Sequence, residues 1–265
     1  MRARWLLLPV AVLPLWLVSE PRAGSDGARR EPVSLTVFAA ASLRDVFTAL
    51  GERFERTHPG VTVRFNFAGS QDLRTQLEHG APADAFASAD NRQMELVRSA
   101  GLVGAPVPFA TNAPVIVVPA DERTPVRTLE DLATVKRLVI GAPEVPIGAY
   151  SLQIFARARA RFGLDFAARV EARVVSRELN VRQVLTKVML GEADAGIVYR
   201  TDARSAGTRV RVVEIPPELN VLAEYPVAVV TRSAHPELAR HWVTFVSGPE
   251  GQAALSSAGF GSPRQ

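Results

Sequence analysis

The sequence predicts an α/β protein of two lobes, each a mostly parallel sheet flanked by helices, with a cleft between them. Three observations carry that expectation. From Ser34 onward, short valine-rich apolar runs alternate with segments of helical period. Four joints share one grammar, in which an apolar strand meets a small or polar residue and then the first turn of a helix. They are SLTVFAAASLRDVF (Ser34–Phe47), VRFNFAGSQDLRTQL (Val63–Leu77), RLVIGAPEVPIGAY (Arg137–Tyr150) and ARVVSRELNVRQVL (Ala172–Leu185). Finally, Ala113-Pro114-Val115 and Tyr225-Pro226-Val227 look like copies, opening the runs VIVVPA and VAVVTR, and each proline holds its predecessor extended. Two extended crossings at these points divide the chain into a discontinuous first lobe, residues 31–112 plus 227–265, and an inserted second lobe, residues 113–226.

Each element follows from local pattern. A helix from Ser42 carries Leu43, Val46, Phe47, Leu50 and Phe54 on one face, with Ser42 and Asp45 at capping-box spacing, and stops by His58-Pro59-Gly60. A strand over Val61–Phe67 leads to a helix around Ser70–Glu78. A short strand lies within Gly80–Asp90, where Asp84 and Asp90 read as turn-capping residues, and a helix follows at Arg92–Ala100. The inserted lobe has a helix capped at Thr128 with Asp131, a strand Arg137–Gly141, a helix Ala149–Phe162, a strand Arg173–Ser176 and a helix Asn180–Leu190. Its strand Ala195–Tyr199 ends in a tyrosine and a polar turn. Helices His235–Ser247 and Pro249–Ser257 pack back on the first lobe.

Composition narrows the class. Arg2 and Arg4, the apolar run Trp5 to Val18 and the small residues near Ala23 read as a secretory signal peptide over residues 1–23, too short for a comfortable membrane span. That segment holds three arginines and one glutamate, so without it the net charge falls from +4 to +2. Such a mild balance suits small anions and supplies no basic stripe for nucleic acid. The chain has no cysteine, which removes disulfides, thiol catalysis, thiolate metal sites and a lipid-anchoring cysteine together. With 265 residues, 47% of them hydrophobic, burial alone can stabilise it, and a free monomer is expected.

The candidate site rests on helix N-termini. Their unpaired N–H groups and partial positive charge hold anions without lysine or arginine. Ser42 and Ser70 each sit where a strand becomes a helix; either can be a simple cap, or both can offer a hydroxyl and an amide to one anion at the carboxyl ends of adjacent strands. Ile147 and Val181 open helices of the second lobe, where they serve packing or present main-chain N–H groups. Tyr199 ends an apolar strand as a core-rim residue or a hydroxyl donor. The four histidines, His58, His79, His235 and His241, have neither a nucleophile elbow nearby nor zinc-motif spacing.

On TVFAAASL (Thr36–Leu43), FAGSQDLRTQLEHGAPADAFASAD (Phe67–Asp90), VPIGAY (Val145–Tyr150), NVRQVL (Asn180–Leu185), GIVYRTDA (Gly196–Ala203) and YPVAVV (Tyr225–Val230), the chain resembles the periplasmic molybdate-binding proteins of ABC transporters. The resemblance spans nearly all of residues 34–260, in order and spacing. It implies a type II periplasmic-binding-protein fold with a ligand cleft between lobes, no catalysis and no cofactor. It also implies a periplasmic location, molybdate or tungstate as ligand, and an inner-membrane permease as partner. The oxyanion would be held through Ser42 and Ser70, the amides of Ile147 and Val181, and the Tyr199 hydroxyl. Ile147 departs from the small residue familiar there, which keeps the amide but bears on cleft shape.

Both oxyanions are fully deprotonated dianions at neutral pH, so every partner should donate; phosphate keeps a proton and wants an acceptor, and none of the five positions is acidic. Sulfate has the same hydrogen-bonding type and differs in size. Another tetrahedral oxyanion such as sulfate is therefore the alternative, with an exported serine hydrolase behind it.

Overall fold

The computed structural model describes residues 33–121 and 124–263, so the signal peptide expected over residues 1–23 lies outside the described residues. The elements run β1 (Val33–Ala40), α1 (Arg44–Thr57), β2 (Val61–Ala68), α2 (Ser70–Glu78), β3 (Ala85–Ala87), α3 (Asn91–Ser99) and β4 (Val107–Asn112). There follow β5 (Pro114–Pro119), β6 (Leu138–Gly141), α4 (Pro146–Phe162), α5 (Phe166–Glu171), β7 (Val174–Glu178), α6 (Val181–Met189), β8 (Ala195–Tyr199), α7 (Arg200–Ala206) and β9 (Val210–Val213). The chain closes with β10 (Ala223–Val229), α8 (Pro236–Ser247) and α9 (Pro249–Ala258).

The strands form two five-stranded sheets, in the orders β2-β1-β3-β10-β4 and β7-β6-β8-β5-β9. Both are mixed, which refines the mostly parallel expectation. In the first, β2-β1-β3 is parallel while β10 runs antiparallel to β3 and β4. In the second, β7-β6-β8 is parallel while β5 runs antiparallel to β8 and β9. The physical reason is connectivity: only strands joined through a helix return parallel, and β5 and β10 follow other strands without one.

Helices cover both faces of each sheet, so central strands read as continuous apolar runs rather than alternating ones. In the first sheet Leu35 and Val37 of β1 pack with α1 and α8, where Phe47 and Phe54 meet the buried Trp242 edge-on at 5.6 and 5.4 Å between ring centroids. Phe38 points the other way, into a second cluster with Leu73, Leu77, Phe86 and Met94 under α2 and α3. No described helix is long and apolar enough to cross a membrane.

Three local expectations are corrected. Tyr225 and Pro226 lie inside β10 rather than at its start; Pro226 has no N–H to give the ladder, and the pairing with β4 slips between these two residues. The polar turn after Tyr199 is the helix α7. Thr128 and Asp131 do pair, the Asp131 carboxylate accepting the Thr128 N–H at 2.8 Å and hydroxyl at 3.0 Å along with the Arg127 N–H at 2.8 Å, but only a short 3-10 turn follows in place of the expected helix. Strands β4 and β9 carry no clear sequence signal, because Pro108 and Arg211 interrupt their apolar pattern.

Candidate functional site

The carboxyl ends of β1 and β2 face the N-termini of α4 and α6 across a small cavity of about 10 Å³. The space is tight, about that of one water-sized sphere. Ser42, Ser70, Ile147, Val181 and Tyr199 all line it, so the structure brings the five sequence-predicted positions together. No acidic or basic side chain lines the cavity; the remaining walls are alanines, Gly69, Val145, Pro146 and Asn180.

Neither serine is a cap. Ser42 sits in a 3-10 turn, Ala41–Leu43, ahead of α1, and Asp45 makes no box with it. Its hydroxyl instead lies 3.1 Å from the Tyr225 hydroxyl. For α2 the N-cap is Gly69, without a side-chain cap, and Ser70 is the first helical residue. Ser70 Oγ accepts the Ala89 N–H at 3.0 Å. With that lone pair engaged, the Ser70 proton is left for another acceptor, and the cavity is beside it.

The second sheet contributes amides by two different local devices. Helix α4 begins with Pro146, which has no N–H, so Ile147 supplies its first donor. Gly148 allows this helix to sit hard against β6, since a Cβ there would fall 2.0 Å from the Ala142 carbonyl oxygen. In α6 the cap is Asn180, whose side chain accepts the N–H groups of Arg182 and Gln183 at 3.0 and 3.1 Å. The Val181 N–H is not taken by that cap. The Ile147 side chain is 1% exposed and reaches over Gly141, so its extra bulk is absorbed largely against the sheet.

Tyr199 closes the cavity from the end of β8. It is 1% exposed, and its hydroxyl has no hydrogen-bond partner in the protein. Burial, then the neighbouring Tyr225 and Tyr150, push its phenol well above the ordinary tyrosine range, so it stays a protonated donor. A buried hydroxyl without a partner is costly, which makes this oxygen a strong claimant for an acceptor placed in the cavity. Asp90 caps α3 by accepting the Gln93 N–H at 2.8 Å. Asp84 ties β1 to the turn before α8 through Thr36 N and Ser233 Oγ.

Three contacts that the sequence reading missed join the two sides around this cavity. Gln71 Nε2 donates to the Leu179 carbonyl at 2.8 Å, and Gln93 Nε2 donates to the Glu144 carbonyl at 2.9 Å. Arg182 pairs with Asp45 at 2.7 Å. Among the described residues no cluster of three or more His, Cys, Asp or Glu could hold a metal ion. The hydroxyls and helix-start N–H groups that line the cavity offer hydrogen bonds to an acceptor.

Two α/β halves meeting on a cavity lined by helix N-termini and hydroxyls define a solute-binding protein. Residues 35–261 match the family described as bacterial extracellular solute-binding protein, and the chain belongs to that family. It is similar to the molybdate-binding protein ModA of Mycobacterium tuberculosis H37Rv, with 40% identity covering 98% of this chain and 100% of that one. Two solved structures share the fold: the periplasmic molybdate-binding protein of Azotobacter vinelandii (TM-score 0.75, 20% identity, 87% of this chain and 100% of that one) and the sulfate-binding protein SubI of M. tuberculosis (TM-score 0.77, 23% identity, 86% of each). The second likeness means that the fold by itself does not choose the anion.

Proposed function

We propose that the protein captures molybdate, or tungstate of the same charge and shape, and delivers it to the permease of an ABC transporter. One observation carries this reading: hydroxyl and amide donors from both sheets converge on a single small cavity that no charged side chain lines. Ser42 and Ser70 offer hydroxyls from the first sheet, Ile147 and Val181 offer main-chain N–H groups from the second, and Tyr199 adds the hydroxyl without a partner. The similarity to ModA of M. tuberculosis supports molybdate over sulfate. The extracellular solute-binding family and the leader expected over residues 1–23 support a periplasmic location.

The mechanism follows from where the donors sit. All strands through Asn112 belong to the first sheet and those from Pro114 to Val213 to the second, which supports a first lobe of residues 31–112 plus 227–265 and an inserted lobe of residues 113–226, the return crossing being made along β10. An anion touching both lobes binds the closed form better and shifts the population toward it. The permease then reads closure as loading. Each charge-assisted hydrogen bond contributes about 1.5–3 kcal/mol net, so a handful reaches the roughly 8 kcal/mol of micromolar binding.

Isothermal titration of ligand-stripped protein with molybdate, tungstate, sulfate and phosphate tests this. Saturable one-to-one binding of molybdate and tungstate, with sulfate weaker and phosphate weakest, is expected. It should drop at least tenfold in Ser42→Ala and Ser70→Ala, and less in Tyr199→Phe. Sulfate binding tighter than molybdate would move the assignment to the smaller anion, and no binding of either would end it.

A further inference from the structure

We propose that Gln71 and Gln93 are specificity-determining positioning residues: their side-chain amides fix the gap between the two donor walls and so favour the larger oxyanion over the smaller. This deepens the oxyanion reading above and rests on it. Each amide reaches from the first half of the chain to a main-chain carbonyl of the second, Gln71 to Leu179 at 2.8 Å and Gln93 to Glu144 at 2.9 Å. A carbonyl has no proton to give, so the NH₂ group is the donor in both bonds. Both glutamines are buried. Gln71 directly follows Ser70, and Leu179 stands two residues before Val181. Gln93 lies in the first turn of α3, its own N–H fixed on Asp90, and follows Ala89, whose N–H holds Ser70 Oγ. Glu144 stands three residues before Ile147. Each latch therefore ties the wall that carries Ser70 to one helix start of the opposite wall.

The receiving segments are braced, so the restraint is passed on. Leu179 N–H donates to Gln183 Oε1 at 3.0 Å, Val145 N–H to the Ala142 carbonyl at 2.9 Å, and Ala142 N–H to the Glu178 carbonyl at 2.9 Å. A hydrogen bond near its preferred length resists shortening as well as stretching. With one latch on α2 and the other on α3, the protein and not the guest sets the spacing from Ser70 to the amides of Ile147 and Val181. An anion that spans the gap gains bonds to both walls. A smaller one of the same charge and shape, such as sulfate, reaches one wall and meets the other at lengthened bonds. Donor chemistry does not separate the two dianions, so spacing must, and these two bonds hold it.

Gln71→Met and Gln93→Met keep the length of the side chain and remove the donor. The test measures molybdate and sulfate binding to wild type, both single variants and the double variant by titration at pH 7. Released walls fit molybdate less well and can follow sulfate inward. Molybdate affinity should fall by about threefold to tenfold in each single variant while sulfate stays within about twofold, and the molybdate-to-sulfate ratio should shrink at least tenfold in the double variant. Gln71→Glu and Gln93→Glu keep the shape, lose the donor and serve if the methionine variants do not fold; their added charge acts on both dianions alike, so the ratio still reads the latch. An equal loss for both anions means that the glutamines merely stabilise the closed form and overturns the proposal, as does no change. The wild-type titration alone judges the molybdate reading, and the change of the ratio on substitution judges the glutamines; a wild type that binds neither anion overturns both.

Discussion

Arg182, at the start of α6, places its guanidinium 2.7 Å from the Asp45 carboxylate on α1, joining the half of the chain that carries the second sheet to the half that carries the first. Behind it lies Asp202 on α7, fully buried, with Oδ1 2.8 Å from Arg182 Nε in an ion pair that lacks hydrogen-bond alignment. The two carboxylates have different jobs. Asp45 is largely exposed, and an exposed pair contributes about 0–1 kcal/mol, so Asp45→Asn should leave stability nearly unchanged and speed molybdate release by no more than about fivefold. Arg182→Met strands a buried carboxylate, and a loss of about 3–5 kcal/mol is expected in urea denaturation. Stopped-flow release and equilibrium unfolding on both variants separate the two roles; equal effects would refute the division.

Asp202 also sets a pH dependence. Burial raises its pKa from 3.8 to about 6, with Arg182 partly opposing the rise. Because the folded value lies above the unfolded one, the native state binds the extra proton between roughly pH 4 and 6. The contribution of this group is thus fully present below the unfolded pKa and is lost as pH rises through the folded one, at up to about 1.4 kcal/mol per pH unit. Unfolding free energies at pH 4.5, 5.5 and 7 should show that downward component in wild type. Asp202→Asn should remove it, and an unchanged slope in the variant would assign it to another group.

Gly69 governs how closely the halves approach. Its φ of −61° suits any residue, so the demand is for space alone: a Cβ there would fall 2.3 Å from the Leu179 carbonyl oxygen and 2.4 Å from the Gln71 side-chain nitrogen that donates to that carbonyl. Gly69→Ala should therefore hold the halves apart. Molybdate affinity should drop at least tenfold with little change in thermal midpoint, and small-angle scattering should show a larger radius of gyration with ligand than wild type has. A closed, tightly binding Gly69→Ala protein would remove the steric argument.

How much of this was legible in the sequence depended on range. The α/β alternation, α2 at Ser70–Glu78 and β8 at Ala195–Tyr199 follow from apolar period and local punctuation. Ser42, Ser70, Ile147, Val181 and Tyr199 stand at strand-to-helix joints or a strand end, which is why a local reading could single them out. Tyr225 was illegible as a partner of Ser42 because 183 residues separate them, and Gln71 lies 108 residues from Leu179. The helix hidden in the polar stretch after Tyr199 escaped for a different reason: Arg200–Ala206 is short and its buried face is built from Thr201, Asp202, Ala203 and Ala206, which give almost no apolar period.

The main-chain donors yield the sharpest test, because side-chain deletion and backbone deletion should diverge. Val181 follows the Asn180 cap, and its N–H is the first-turn donor that the cap does not take. Val181→Ala keeps that N–H and trims a buried side chain, so molybdate affinity should change by less than about threefold while stability falls by about 1–2 kcal/mol. Val181→Pro fits the first helical position, where φ near −65° is already required, so the fold should survive. It deletes the one N–H, and affinity should fall at least tenfold. Titration and thermal unfolding of the two variants together decide the matter: if Val181→Ala is the damaging change and Val181→Pro the mild one, the side chain and not the amide holds the anion.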